Sequence, residues 1–187
     1  MKRGFKGILL ALAFTPVLAS AEGFNYTYAE AGLGMLDSDN QSLIGPDFRF
    51  SVGVNEQIFA FGGYRAYSDD IDYNNWHLGG AYRHGLNDQT DVWVGVSLEF
   101  QESEVDIPFV GTRSSDDTAP ALRAGLRYQL NSDVELGAKT RIVTGDFDYF
   151  AIGGYGRYKL TDTVSLKGEL DIQDGDIGLF AGATWYF

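Results

Sequence analysis

The sequence predicts an all-β protein, a transmembrane antiparallel up-and-down β-barrel of ten strands, with eight strands as the alternative. Three observations lead there. Segments of about ten residues alternate polar and apolar with a period of two, and no window sustains a helical i, i+3, i+4, i+7 pattern. Four turns of one form recur at Asn55-Glu56-Gln57, Leu86 to Asp91, Leu130 to Asp133 and Leu160 to Thr163. Nearly all the lysines and arginines beyond the first 21 residues fall on the polar parity of those segments.

Residues 1–21 read as an export signal. Lys2, Arg3 and Lys6 precede the apolar stretch Gly7 to Ala19, and Ala19 and Ala21 form an A-x-A cleavage site. The stretch is shorter than the ~18 apolar residues that a spanning helix needs. Cleavage leaves a barrel domain, 22–187, with 11 Lys and Arg against 26 acids, a net charge of −15. Such a balance argues against nucleic acid as a partner, because phosphate binding needs a basic surface. The absence of Cys excludes a disulfide scaffold, a Cys-ligated zinc module and a lipoprotein anchor.

Between the turn markers, strands are expected at about 24–36, 47–54, 58–67, 73–84, 91–102, 119–130, 134–143, 149–160, 164–173 and 177–187. The match of Arg127-Tyr128-Gln129-Leu130 to Arg157-Tyr158-Lys159-Leu160, 30 residues apart, marks the hairpin as the repeating unit. An even count returns both ends to one side, and pairing the first strand with the last leaves no open edge.

Charge location indicates which face meets lipid. Phe48, Phe50 and Val52 alternate with Arg49 and Ser51, and Val92 to Phe100 alternate with Trp93, Gly95, Ser97 and Glu99. Leu122 and Leu126 oppose Arg123 and Arg127; Leu136 and Ile142 oppose Glu135, Lys139 and Arg141; Leu166 and Leu170 oppose Lys167, Glu169 and Asp171. With Glu30, Arg65, Arg83, Arg157 and Lys159, these are read as lumen charges, ten cations and five acids, an excess of about five positive charges. A water-soluble barrel would turn the same cations outward. Against that reading, Tyr82, Tyr128, Tyr158 and Trp185 lie on the apolar parity near the turns, with Trp76, Phe100 and Phe150 at the other end, like two interfacial girdles. The segment 58–67 carries aromatics on both parities.

At the C-terminal end Ile177, Leu179, Ala181, Ala183, Trp185 and Phe187 occupy every second position. This row looks like the strand that outer-membrane barrels present to the barrel assembly machinery. With the signal, the hairpin repeat and the terminal Phe, the chain resembles the small outer-membrane β-barrels of the OmpX/OmpA-transmembrane type. Phe24-Asn25-Tyr26-Thr27-Tyr28-Ala29-Glu30-Ala31-Gly32 is similar to first strands of that group, with Glu30 pointing into the lumen. Gly62-Gly63-Tyr64 and Gly79-Gly80-Ala81-Tyr82 share its look. The best-known members have eight strands and three periplasmic turns; four turns here imply ten strands. The resemblance implies an outer-membrane location with lipid and lipopolysaccharide as surroundings, and a monomer is expected.

No catalytic residue, cofactor or metal site is expected. His77 and His84, seven apart on one strand, point to opposite faces and cannot share a metal. Ser97 or Ser51 near His77 would be a bare sketch of a Ser-His site, and no His follows residue 84 as the lipid-A deacylase type of barrel requires. Asp37-Ser38-Asp39-Asn40 begins like a calcium loop but lacks the turn Gly, and Phe48 stands where the bidentate Glu belongs. Gly153-Gly154-Tyr155-Gly156 has no following helix to make a dinucleotide site.

Extracellular connections are expected at 37–47, 68–72, 102–118, 144–148 and 173–176. They carry fifteen acids, Asp47, Asp69, Asp70, Asp72, Glu104 and Asp106 among them, against Arg113 alone. Plain solvation is one reading; divalent cations bridging the acids to lipopolysaccharide phosphates is the other. The function these features imply is a structural or surface-interaction role with the lumen filled by charged side chains. The alternative is a small passive pore with a cationic lumen.

Overall fold

The computed structural model describes residues 23–38, 41–69, 71–107, 111–146 and 148–187. The expected signal with Ala19 and Ala21 lies outside them, as do Asp39 and Asp70, and so do the side chains of Glu104, Asp106 and Arg113. Ten strands form: β1 (Tyr28–Ser38), β2 (Gln41–Gly53), β3 (Ile58–Ser68), β4 (Ile71–Asn87), β5 (Thr90–Ile107), β6 (Gly111–Gln129), β7 (Val134–Val143), β8 (Tyr149–Lys159), β9 (Val164–Gln173) and β10 (Asp176–Tyr186). Each pairs antiparallel with its sequence neighbours, and β1 pairs with β10 from Tyr28↔Tyr186 to Asp37↔Ile177, so the barrel closes. Ten strands, not eight, is the outcome.

The turn chemistry explains the hairpins. At one end of the barrel, Asn55 Oδ1 accepts the backbone N–H groups of Gln57 and Ile58, Asn131 those of Asp133 and Val134, and the Thr161 hydroxyl those of Thr163 and Val164. Asn87 does the same for Gln89. A side-chain oxygen that captures amides two and three residues on fixes a tight reversal. At the other end, Asp174 and Gly175 both adopt positive φ, 49° and 106°, the two-residue arrangement whose twist suits a hairpin.

The wall is uneven in height, which corrects the expected loops. β5 runs to Ile107 and β6 starts at Gly111, with Glu102 opposite Asp116, so most of the expected connection 102–118 is strand. The same holds for 41–47, which belongs to β2. β4, β5 and β6 are 17, 18 and 19 residues long, whereas β7 to β10 are 10 or 11. About 9–11 tilted residues are enough to cross a bilayer, so β7–β10 are long enough to span one and β4–β6 are longer than a span requires, forming a taller flap.

β1 also starts later than expected. Residues 24–27 leave the strand, and Phe24 and Tyr26 are buried against Phe59, Phe61 and Ala81, with Trp93 packed on the cluster. Outward positions are apolar and exposed over a broad band, including Leu78, Val96, Leu98, Leu122, Leu136, Leu166 and Leu170. In water such a surface would drive association; on a closed barrel with a polar interior it is a lipid-facing belt. Tyr82, Tyr158 and Trp185 stand outward near the turns, and Trp76 stacks on Phe100 at 3.7 Å toward the tall end.

Candidate functional site: the barrel lumen

The inward positions of β1, β2 and β7–β10 bring charges into mutual contact. Glu30, 3% exposed, accepts from Arg157 at 2.6 Å, Lys167 at 2.9 Å and the Thr184 hydroxyl at 3.1 Å. Arg157 reaches on to Glu135 at 2.8 Å, and Arg127 binds the same carboxylate through two nitrogens, at 3.1 and 2.7 Å. On the other flank Lys167 contacts Glu169 at 2.9 Å, and Glu169 accepts both from Arg49 and, at 2.6 Å, from Lys139. Arg49 holds Asp47 through two bonds of 2.9 and 2.7 Å, and Lys139 lies 3.1 Å from Asp171. Five cations and five acids form one connected, neutral network. Backbone room is part of it: a side chain at Gly137 would run into the ring of Tyr155, whose hydroxyl donates to Glu135.

The other side of the lumen, β3 to β6, is built differently. Toward the turn end it is filled by the aromatic cluster, and Arg83 and Arg127 donate to the backbone carbonyls of Phe24 and Asn25. Arg127 also lies over the rings of Phe24 and Tyr26, at 4.8 and 4.5 Å. Toward the tall end, Arg123 donates to Ser97 and, at 2.5 Å, to Glu99. Arg65, and Arg141 on the adjoining β7, form no ion pair among the described residues, although each shares the field of a carboxylate, Asp47 and Glu99 respectively; Arg141 has a long contact to Gln173 at 3.4 Å and lies over Tyr149. Buried nearby, both polar side-chain atoms of Asn75, Nδ1 of His77, Oε2 of Glu99, Nε2 of Gln101 and Nε of Arg141 have no hydrogen-bond partner among the described residues.

Two acids assigned to connections on sequence stand in the lumen instead. Asp47 is 2% exposed on β2, and Asp91 faces Arg83 at 3.1 Å. The parity signal was available for Asp47, which shares its face with Arg49. Lys159 sits at the rim, its side chain 42% exposed and paired with the turn residue Asp162. The lumen thus holds nine cations against seven acids among the described residues, correcting the expected excess of about five to two, Arg65 and Arg141.

His77 is buried in the lumen and His84 is exposed on the outer face. The Ser97 hydroxyl is held by Glu99 and Arg123, and no Ser-His hydrogen bond forms among the described residues. Ile177, Leu179, Trp185 and Phe187 all face outward and are exposed.

No family model and no curated protein matches the chain. Solved structures do. The KdgM porin in complex with disordered oligogalacturonate superposes with a TM-score of 0.52 at 11% identity, covering 85% of this chain and 99% of that one. The KdgM porin alone gives 0.51 with the same identity and coverage. The N-terminal β-barrel domain of Pseudomonas aeruginosa OprF shares 16% identity, covering 88% of this chain and 100% of that one, at a TM-score of 0.45. A ten-stranded closed barrel with an apolar outer belt and a polar lumen, this chain shares the fold of the KdgM porin.

Proposed function

We propose that this chain is a non-enzymatic outer-membrane barrel with a structural or surface-interaction role, its lumen closed by side chains. The observation that supports this best is the neutral network of five cations and five acids, linked by ion pairs of 2.6 to 3.1 Å. Ten strands enclose little more room than the eight whose interior side chains fill completely. A water path through this side of the barrel would require separating buried pairs, and breaking one strands a charge away from solvent. On the β3–β6 side the aromatic cluster and the 24–27 segment fill the turn end.

Single-channel recording on the refolded protein tests the reading: no discrete conductance is expected, and a stable cation-selective channel overturns it. The second reading, a small passive pore, is favoured by Arg65 and Arg141, whose uncompensated charge would make any conductance anion-selective.

Two further parts of the reading concern partners. The outward row of β10 supports recognition by the barrel assembly machinery, so Trp185→Asp should leave export intact and block insertion, as measured by membrane fractionation. The acids of the β4–β6 flap support a divalent-cation bridge from a monomeric barrel to lipopolysaccharide. Asp69→Asn with Asp72→Asn should then weaken Ca²⁺-dependent association, whereas equal association with and without Ca²⁺ favours plain solvation.

A further inference from the structure

Arg123 and Arg141 are Cα partners across β6 and β7, both on lumenal positions. Like charges directly opposite each other in a sheet repel. Arg123 pairs with Glu99, and Arg141, 7% exposed, shares the field of that one carboxylate without reaching ion-pair distance of any among the described residues, where its Nε–H is also unpartnered. Two buried guanidiniums on one carboxylate leave a net positive charge, which is costly to hold away from water. Between these two arginines lies a cavity of about 30 Å³, lined also by Lys139, Trp93, Thr140 and Asp171. A water needs about 10–15 Å³ on this scale, so the space takes one or two small occupants and excludes a sugar acid or a phosphate ester.

We propose that this cavity is a binding site for one small monovalent anion of the halide class, held by Arg141 and Arg123 with Trp93 in its lining. The chemistry of the lining selects the occupant. Lys139 is already engaged by Glu169 and Asp171, and Arg123 by Glu99 and Ser97, which leaves Arg141 as the charge an anion would neutralise. Water could accept from Arg141 but would leave the net positive charge of the Arg123–Glu99–Arg141 group and the Arg123–Arg141 repulsion in place. The site does not depend on whether the barrel conducts.

Trp93 provides the readout, because bromide quenches indole fluorescence on contact. The chain has three Trp, so Trp76→Phe with Trp185→Phe isolates Trp93 in the refolded full-length barrel. Bromide titrated against gluconate at constant ionic strength should give saturable quenching on top of the linear collisional component. Adding Arg141→Met should weaken the saturable phase by roughly tenfold or more. Linear quenching alone, or saturation unchanged by Arg141→Met, overturns the proposal. Crystals of the unsubstituted protein grown in bromide supply a second measurement: an anomalous peak in contact with Arg141 is expected, and its absence from an otherwise well-resolved lumen counts against the site.

Discussion

The two sides of the lumen solve the same problem by different means. Between β7 and β2, through β10 and β1, every inward charge but Arg141 on β7 forms an ion pair among the described residues, and each acid except the end members Asp47 and Asp171 serves at least two cations. Between β3 and β6 the turn end is packed with rings, and the tall end holds arginines and amides in excess of acids. The lesson is that a barrel of this width has a core in the ordinary sense on one side and an ionic lattice on the other. Removing a group from either side therefore has consequences of different size and even of different sign.

The largest effect is expected at Glu30. Its carboxylate joins Arg157 to Lys167, so Glu30→Gln leaves two buried cations short of a counter-ion at once. Loss of one member of a buried ionic cluster costs about 3–5 kcal/mol. Urea titration of the barrel refolded in detergent should show the midpoint falling accordingly, and a loss below ~1 kcal/mol would mean that water, not protein, solvates this part of the lumen.

On the aromatic side, Phe24→Ala should cost about 3 kcal/mol, toward the lower end for a buried Phe because the ring sits at the mouth and not mid-barrel. The backbone carbonyl of Phe24 still accepts from Arg83 in that variant, so the segment stays in place and the cost reports ring burial. Comparing Tyr26→Phe separates packing from polarity: the Tyr26 hydroxyl is buried without a hydrogen-bond partner among the described residues, so its removal should be neutral or stabilising in the same titration.

Much of this was legible in the chain. Strand number followed from four similar turns, and the lumenal face from the parity of Arg123, Arg127, Glu135, Lys167 and Glu169, because lipid tolerates no charge and period two leaves one alternative face. What escaped follows from the same rule applied too strictly. Phe24, Tyr26, Phe59 and Phe61 share the parity of Glu30 or Arg65, and an apolar residue on the polar parity reads as noise until a local core is allowed inside the barrel. Asp47 and Asp91 escaped because an acid near a strand end looks like loop, and strand length depends on cross-strand pairing that no local pattern carries. The pairing partners themselves, such as Arg49 with Glu169 at a separation of 120 residues, depend on how the closed barrel brings opposite strands together.

The smallest and most discriminating effect concerns sign. Arg49 and Arg141 are both lumenal arginines, but Arg49 bridges Asp47 and Glu169 whereas Arg141 contacts only Gln173 and the Tyr149 ring among the described residues. Arg49→Met leaves Asp47 without its paired cation and takes one of three cations from Glu169, so it should destabilise by several kcal/mol, on the order of the Glu30 effect. Arg141→Met strands nothing. It removes one of two guanidiniums that share Glu99, which keeps Arg123, relieves the repulsion across β6 and β7, and puts an apolar chain of similar reach beside Tyr149. In halide-free buffer the substitution should therefore lie within about 1 kcal/mol of the parent protein, on the stabilising side. If urea titration instead shows Arg141→Met losing as much as Arg49→Met, the guanidinium has a counter-charge inside the lumen even without halide, and the two sides of the barrel are alike in their electrostatics after all.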